Sequence, residues 1–295
     1  MTADDVLHTL AVAAWDGPFP ADLQCSARDA LESGLVLALP ALRFEVAADE
    51  QRFLDAASLG GSRKNISLDP TSRRLGNSAL SAADAASLTA MMARFADSAL
   101  QLVTGLLPAY ASGLDRARTS FRPAEIEGRA YSPRHDDRLL HVDAFPTRPM
   151  AGRRILRVFS NVAPDGARRA WQVGEPFPDY ARRFLPKVKP PLSGSAPLLQ
   201  LLGLTKGRRS GYDHIMLGLH DAGKLDTAYQ TLGPKSDVSF AAGTTWLCFT
   251  DQVLHAALAG HCALEQTFHL PVSALAHPEQ APLRVLERLV GRPLA

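Results

Sequence analysis

Cysteine is scarce: Cys25, Cys248 and Cys262 are the only three, and no two stand at C-x-x-C spacing. An odd, scattered set indicates neither a disulfide framework nor a zinc knuckle and fits a reducing compartment. The N-terminus, Met1-Thr-Ala-Asp-Asp-Val6, lacks the basic start and apolar core of a signal peptide. No run approaches the ~20 apolar residues that cross a bilayer, so a cytoplasmic protein is expected. Internal repeats and low-complexity tracts are missing too. A large net charge is also lacking, since 32 Lys and Arg offset 30 Asp and Glu to leave +2; no nucleic-acid partner is expected.

What the chain does have is apolar material, 46% over 295 residues, enough for one large domain or two small ones. Its basic residues cluster at Arg153-Arg154-Arg157, Arg168-Arg169, Arg182-Arg183, Lys187-Lys189 and Lys206-Arg208-Arg209, a pattern suited to an anionic partner. Residues 81–107 read as a helix that starts at Ser81 with Asp84 three residues on. Leu88, Met91, Met92, Phe95, Leu102 and Leu106 follow helical spacing, and Pro108 ends it. From about Phe121 the texture changes to short β-like runs at 139–145, 154–162, 170–173, 237–240, 244–249, 255–258 and 262–270, which predict a sandwich or barrel. The expected organisation is a mainly helical N-terminal support (1–118), a β-rich core (119–275) interrupted by an inserted lid (186–230), and a C-terminal tail (276–295).

Within that texture His141-Val142-Asp143 carries the most chemistry. Residues two apart on a strand point to one face, so this imidazole and carboxylate can grip one metal. A second histidine would complete the two-histidine, one-carboxylate face that leaves open positions on a non-heme Fe(II). His255, which follows the polar turn Thr250-Asp251-Gln252, is the candidate, and His269 is its rival. A second H-x-D, His135-Asp136-Asp137, sits in a charged, turn-like stretch that reads as solvated loop, whereas His141 and Asp143 are flanked by Leu139, Leu140, Val142 and Phe145. His214, His220, His261 and His277 carry no ligand pattern.

Such an iron centre would take 2-oxoglutarate as co-substrate, and the co-substrate's far carboxylate needs a cation, for which arginine is the natural fork. Alternation places Arg157 on one face with Ile155, Phe159 and Asn161, and Arg154 on the other. Arg157 is the favoured clamp, with Arg122 as a second candidate and Arg154 as the alternative. Thr267 could add a hydroxyl, being on the same strand face as Glu265 and His269.

Longer strings carry a more specific signal: Leu140-His-Val-Asp-Ala-Phe-Pro146, Gly152-Arg-Arg-Ile-Leu-Arg-Val-Phe-Ser-Asn161, Trp171-Gln-Val-Gly-Glu-Pro-Phe177, Tyr212-Asp-His214, Trp246 through Gln252, His255-Ala256 and Glu265-Gln-Thr-Phe268. Over roughly 119–270 the chain resembles the Kdo hydroxylase family of Fe(II)/2-oxoglutarate dioxygenases. The resemblance implies an α+β protein with a double-stranded β-helix (jelly-roll or cupin) core and a metal triad of His141, Asp143 and His255. It further implies O2 as oxidant, ascorbate as supporting reductant, and hydroxylation at carbon 3 of the Kdo sugar to give Ko in lipopolysaccharide biosynthesis. A Kdo-bearing lipid A is anionic, so Lys206, Arg208 and Arg209, beside the Leu-rich 197–204, would dock it at the cytosolic face of the inner membrane. The competing readings are the same chemistry on another small molecule or peptide, and a non-catalytic sugar-binding cupin.

Overall fold

The computed structural model of the protein describes residues 1–61, 63–128, 132–191 and 195–295. Among the described residues, eleven strands form two sheets. The larger contains β1 (Leu7–Thr9), β2 (Val36–Leu39), β3 (Ile66–Leu68), β4 (Leu75–Gly76), β5 (Asp115–Arg122), β6 (Arg154–Asn161), β9 (Thr245–Phe249) and β11 (Ala263–Leu270), in the order β1-β2-β9-β6-β11-β5-β3-β4. The smaller contains β7 (Arg169–Gly174), β8 (Lys235–Phe240) and β10 (His255–Ala259), in the order β10-β7-β8. All pairings are antiparallel except β1 with β2.

Strand alternation sorts side chains into two layers. On β6, Leu156 and Val158 turn toward the helices, while Arg157 and Phe159 turn toward the small sheet. Phe159 and Trp246 of the large sheet meet Trp171 and Phe240 of the small one, with ring centroids 4.1–5.8 Å apart. These aromatics close the space between the sheets at one end and leave the other end to polar residues.

Among the described residues are seven α-helices, of which all but the fourth put buried side chains into the core on the outer face of the large sheet. They are α1 (Ala21–Glu32), α2 (Ala82–Leu106), α3 (Phe177–Phe184), α4 (Ser195–Leu201), α5 (Gly211–Leu225), α6 (Thr227–Leu232) and α7 (Pro282–Val290). The Ser81 hydroxyl caps α2 by accepting from the Asp84 N–H at 3.2 Å, and the six predicted apolar positions of this helix are all buried. α5 carries a capping box at Ser210 and Asp213, and its Tyr212, Ile215, Met216 and Leu219 are packed into the main core.

The α+β class is as expected, with three differences of detail. Residues 1–118 are more than helical support, because β1 to β4 extend the large sheet on both edges and the boundary at 118/119 falls inside β5. These strands are two to four residues long, too short for a periodic signal. The expected 139–145 strand is a single bridge, His141 to His255. Gln230 of α6 substitutes for a neighbouring strand there, accepting from the Leu140 N–H and donating to the Leu140 carbonyl. Within 186–230, residues 192–194 lie outside the described residues, and α5 is anchored core rather than a free-standing insertion.

Under the large sheet lies a buried polar knot. Arg154, fully buried, donates to Asp251 Oδ2 at 2.7 Å and to Gln252 Oε1 at 2.6 Å, and its guanidinium sits 3.8 Å over the Phe249 ring. Asp251 Oδ1 also accepts the Ile155 N–H, so the knot fixes the turn that leads into His255. Removing one partner strands the other in low dielectric. Asp251→Ala is therefore expected to cost about 3–5 kcal/mol, read as a lower urea midpoint with an unchanged slope; a loss below 1 kcal/mol would contradict it.

Candidate metal centre

The bridge between His141 and His255 consists of two backbone hydrogen bonds, 3.1 and 2.9 Å, and it sets the two imidazole centroids 4.6 Å apart. Asp143 is held two residues on, where its N–H donates to the Thr250 carbonyl at 2.8 Å. One ligand atom from each of His141, Asp143 and His255 lies within 4.8 Å of the others. His269, the rival, stands outside this group.

Each ring is oriented by the chain that carries it. Nδ1 of His141 is 2.7 Å from the Leu139 carbonyl, and Nδ1 of His255 is 2.9 Å from the Val253 carbonyl. A carbonyl only accepts, so both rings hold their proton on Nδ1 and turn an Nε2 lone pair toward Asp143, the arrangement found around metal-ligating histidines. Trp171 stacks on His255 at 5.4 Å, and His220 stands edge-on to His141 at 5.5 Å.

Burial pushes the basicity of both histidines down, and for His141 the neighbouring His255 adds to it. For Asp143 burial acts upward, but the Arg157 guanidinium together with His255, His141 and a hydrogen bond from Thr250 outweighs it and holds the carboxyl down at about 2. Arg157 Nη2 faces Asp143 Oδ2 at 2.9 Å, off the line of a hydrogen bond. The group therefore carries two neutral imidazoles and an ionised carboxylate at neutral pH, the state a divalent metal needs.

A cavity of about 170 Å³ opens over the three residues. Along its wall runs a chain of ion pairs: Lys64 to Asp137 at 3.0 Å, Asp137 to Arg122 at 3.2 Å, Arg122 to Glu265 at 3.3 Å, Glu265 to Arg157 at 2.9 Å, and Arg157 to Asp143. Burial opposes the charge of both Arg122 and Arg157, yet their carboxylate partners raise the pKa of each. Arg169 differs. It is 3% exposed, lines the same cavity, and makes no ion pair among the described residues. Its Nη1 donates to the Gly260 carbonyl at 2.8 Å while its Nε has no partner. Burial, followed by the nearby Arg122, lowers it to about 10. Gly260 is required for this contact, because its φ is +105° and a Cβ there would meet the Arg168 carbonyl at 2.8 Å.

The other expected residues separate. Thr267 lies outside the cavity, in a groove shared with Lys206; Arg208 and Arg209 line neither space. His135 is exposed in a 3-10 turn, but its neighbours are not the solvated loop expected: Asp136 is buried against Arg138, and Asp137 lines the cavity. Asp137, Arg169 and His220 escaped sequence reasoning. Arg169 and Trp171 share a strand face by simple alternation, a signal legible once 170–173 is extended by one residue.

Comparison with known proteins follows the same lines. The profile of the family described as 3-deoxy-D-manno-oct-2-ulosonic acid (Kdo) hydroxylase matches residues 14–293. The chain belongs to the Kdo hydroxylase family. Among solved structures, the Kdo hydroxylase KdoO, a non-heme Fe(II) alphaketoglutarate dependent dioxygenase, in complex with alphaketoglutarate and Fe(III) is 47% identical with a TM-score of 0.95, covering 98% of this chain and 97% of that one. The cobalt(II) complex is 48% identical at the same TM-score and coverage. The complex with succinate and Fe(III) is 47% identical with a TM-score of 0.94 and again the same coverage. A search of curated proteins found no match.

The histidines of this Kdo hydroxylase family member make its metal-free stability depend on pH. His141 and His255 have folded pKa values below their unfolded ones, so the unfolded chain binds more protons. Stability is then full above about pH 6.5 and is lost as pH falls below it. The thermal midpoint of the chelator-treated protein should drop between pH 7 and pH 5, and His255→Asn should flatten the drop. A midpoint constant over that range would contradict neutral burial.

Proposed function

We propose that this Kdo hydroxylase family member hydroxylates carbon 3 of the Kdo sugar on lipid A, using Fe(II), 2-oxoglutarate and O2. His141, Asp143 and His255 hold the iron, which when bound supplies the oxidising chemistry that couples loss of carbon dioxide from 2-oxoglutarate to oxygen insertion at a C–H bond. The two sheets are read as a double-stranded β-helix, with the metal at the mouth between them. The observation that carries this reading is the convergence of two Nε2 lone pairs and one ionised carboxylate at the end of a closed, aromatic-floored space.

The chain's own residues divide the remaining work. Arg157 engages the Asp143 oxygen nearest to it, leaving Oδ1, 3.9 Å from His141 Nε2, as the ligand atom. It is read as a positioning residue, since Nη2 and Nη1 already face Asp143 and Glu265, leaving only its Nε without a partner. Arg122 is likewise committed, to Asp137 and Glu265. The far carboxylate of 2-oxoglutarate falls to Arg169, the cavity arginine that no carboxylate pairs with directly among the described residues, Glu125, Glu265 and Asp137 acting on it only from a distance. An anion there removes the mismatch that depresses its pKa. Trp171, two residues on along the same face, fixes the His255 ring and excludes water beside it.

The lipid reading rests on the outer surface. Leu201, Leu202 and Leu204 are 83%, 62% and 57% exposed, and they precede Lys206, Arg208 and Arg209. Exposed leucines beside cations suit an anionic amphiphile held at a membrane surface. No helix among the described residues is long and apolar enough to cross a membrane.

The direct test supplies purified protein with Fe(II), 2-oxoglutarate, ascorbate and Kdo–lipid A, and looks for a mass gain of one oxygen atom on the sugar. Succinate formation without that gain, or the same gain on an unrelated acceptor only, would overturn the assignment. His141→Ala, Asp143→Ala and His255→Ala should each abolish both cobalt(II) binding and turnover, while His135→Ala keeps both. A His141→Ala protein that binds cobalt(II) normally would remove the triad. Arg169→Ala should raise the half-saturating 2-oxoglutarate concentration at least ~30-fold, on the order of 2 kcal/mol for a buried charge pair. An unchanged value would return the role to Arg157 or Arg122.

A further inference from the structure

Beside the metal cavity lies a second space, a groove of about 320 Å³ that shares Arg157 and Glu265 with it as a common wall. Besides Arg157, three cations line it: Arg118, Arg148 and Lys206. None makes an ion pair among the described residues, in contrast to Arg122 and Arg157 in the cavity next door. Phe145 and His269, 6.4 Å apart and edge to face, supply an apolar flank, while Ser120 and Thr267 add hydroxyls. His269 Nε2 is buried in this setting without a hydrogen-bond partner.

We infer that this groove is the anion subsite of the sugar substrate, and that Arg148 and Lys206 read the carboxylate of Kdo. The inference rests on the Kdo reading above. Its chemical basis is connectivity. In Kdo the carboxyl carbon is attached to carbon 2, the neighbour of carbon 3, so a subsite for that carboxylate must adjoin the metal cavity. The groove does so through Arg157 and Glu265. The charges suit the role, because cations without a carboxylate partner can pair with an incoming anion without first giving up a protein contact. The flank suits it too: an aromatic pair offers a surface for the C–H face of a pyranose, and two hydroxyls and a ring nitrogen serve its hydroxyl groups. Lys206 is placed by the chain itself, since its backbone N–H donates to the Thr147 carbonyl at 2.9 Å, tying the end of the Leu-rich segment to the loop that follows Asp143.

The experiment compares wild type, Arg148→Gln, Lys206→Gln, the double variant and Arg148→Lys, with Arg292→Gln removing one charge at the far C-terminal end. Equilibrium binding uses the methyl glycoside of Kdo and its carboxyl methyl ester on the cobalt(II), 2-oxoglutarate-loaded protein; steady-state kinetics use Kdo–lipid A. Wild type should bind the acid at least tenfold more tightly than the ester, and that gap should vanish in the double variant. Each single Gln substitution should raise the KM for the lipid about tenfold with kcat within twofold, Arg148→Lys should recover most of it, and Arg292→Gln should stay within twofold. A gap between acid and ester that survives in the double variant, with turnover intact, overturns the groove and leaves the Kdo reading standing. So does an affinity that ignores the ester and falls only when the lipid lacks its phosphates. If wild type neither binds nor hydroxylates any Kdo compound, the Kdo reading fails and the groove assignment fails with it.

Discussion

Two backbone hydrogen bonds between His141 and His255, flanked by a third from the Ala257 N–H to the Asp137 carbonyl, join the segment carrying the first histidine to the small sheet. Everything proposed for the site depends on that narrow seam. Because residues in an antiparallel bridge stand directly opposite each other, the pairing alone sets the imidazoles side by side. The two-residue repeat then delivers Asp143 to the same face. A full strand at 139–145 would not be needed for this. Gln230 on one side and the Thr250 carbonyl on the other hold the short segment where a longer ladder otherwise would. The Arg154–Asp251 knot keeps the turn before His255 from drifting, so a buried ion pair on the far side of the sheet supports the geometry of the near side.

Electrostatics divides the three cavity arginines by what they already hold. Arg122 and Arg157 belong to an unbroken alternation of cations and anions from Lys64 to Asp143. That alternation keeps six charged side chains buried or half-buried without net excess, and it ends on the proposed metal ligand. Arg169 stands apart, its guanidinium held by a carbonyl and by no direct ion pair among the described residues, so that burial outweighs the more distant Glu125, Glu265 and Asp137. A buried guanidinium in that condition is destabilising for the empty protein, and an anionic co-substrate would relieve it. Binding and stability are then linked, so the co-substrate complex is the more stable form.

Much of this was legible in the chain. The 81–107 helix, its cap and its buried face follow from Ser81, Asp84 and the 3.6-residue spacing, and six of the seven expected β runs coincide with β6 to β11. His141, Asp143 and His255 were legible because a strand alternation and a flanking apolar context are local properties. The clamp was not. Choosing among Arg122, Arg157 and Arg169 requires knowing which carboxylates fold back onto which guanidinium, and Glu265, Asp137 and Asp143 come from three separate parts of the chain. His220 carries no ligand pattern in the sequence, yet what matters is the ring it meets across the fold, His141. β1 to β4 were too short to announce themselves. The groove cations divided for the same reason: Lys206 reaches the groove, whereas Arg208 and Arg209, though adjacent in sequence, do not.

The central claim is that one seam assembles the metal site and one uncommitted arginine completes the co-substrate site. It is tested most directly by anomalous diffraction from crystals loaded with cobalt(II) and 2-oxoglutarate without oxygen. The account predicts a single strong metal peak within coordination distance of His141 Nε2, Asp143 Oδ1 and His255 Nε2, with the far carboxylate of 2-oxoglutarate against Arg169. A metal bound elsewhere, or a carboxylate seated on Arg157 or Arg122 with their ion pairs broken, would contradict it.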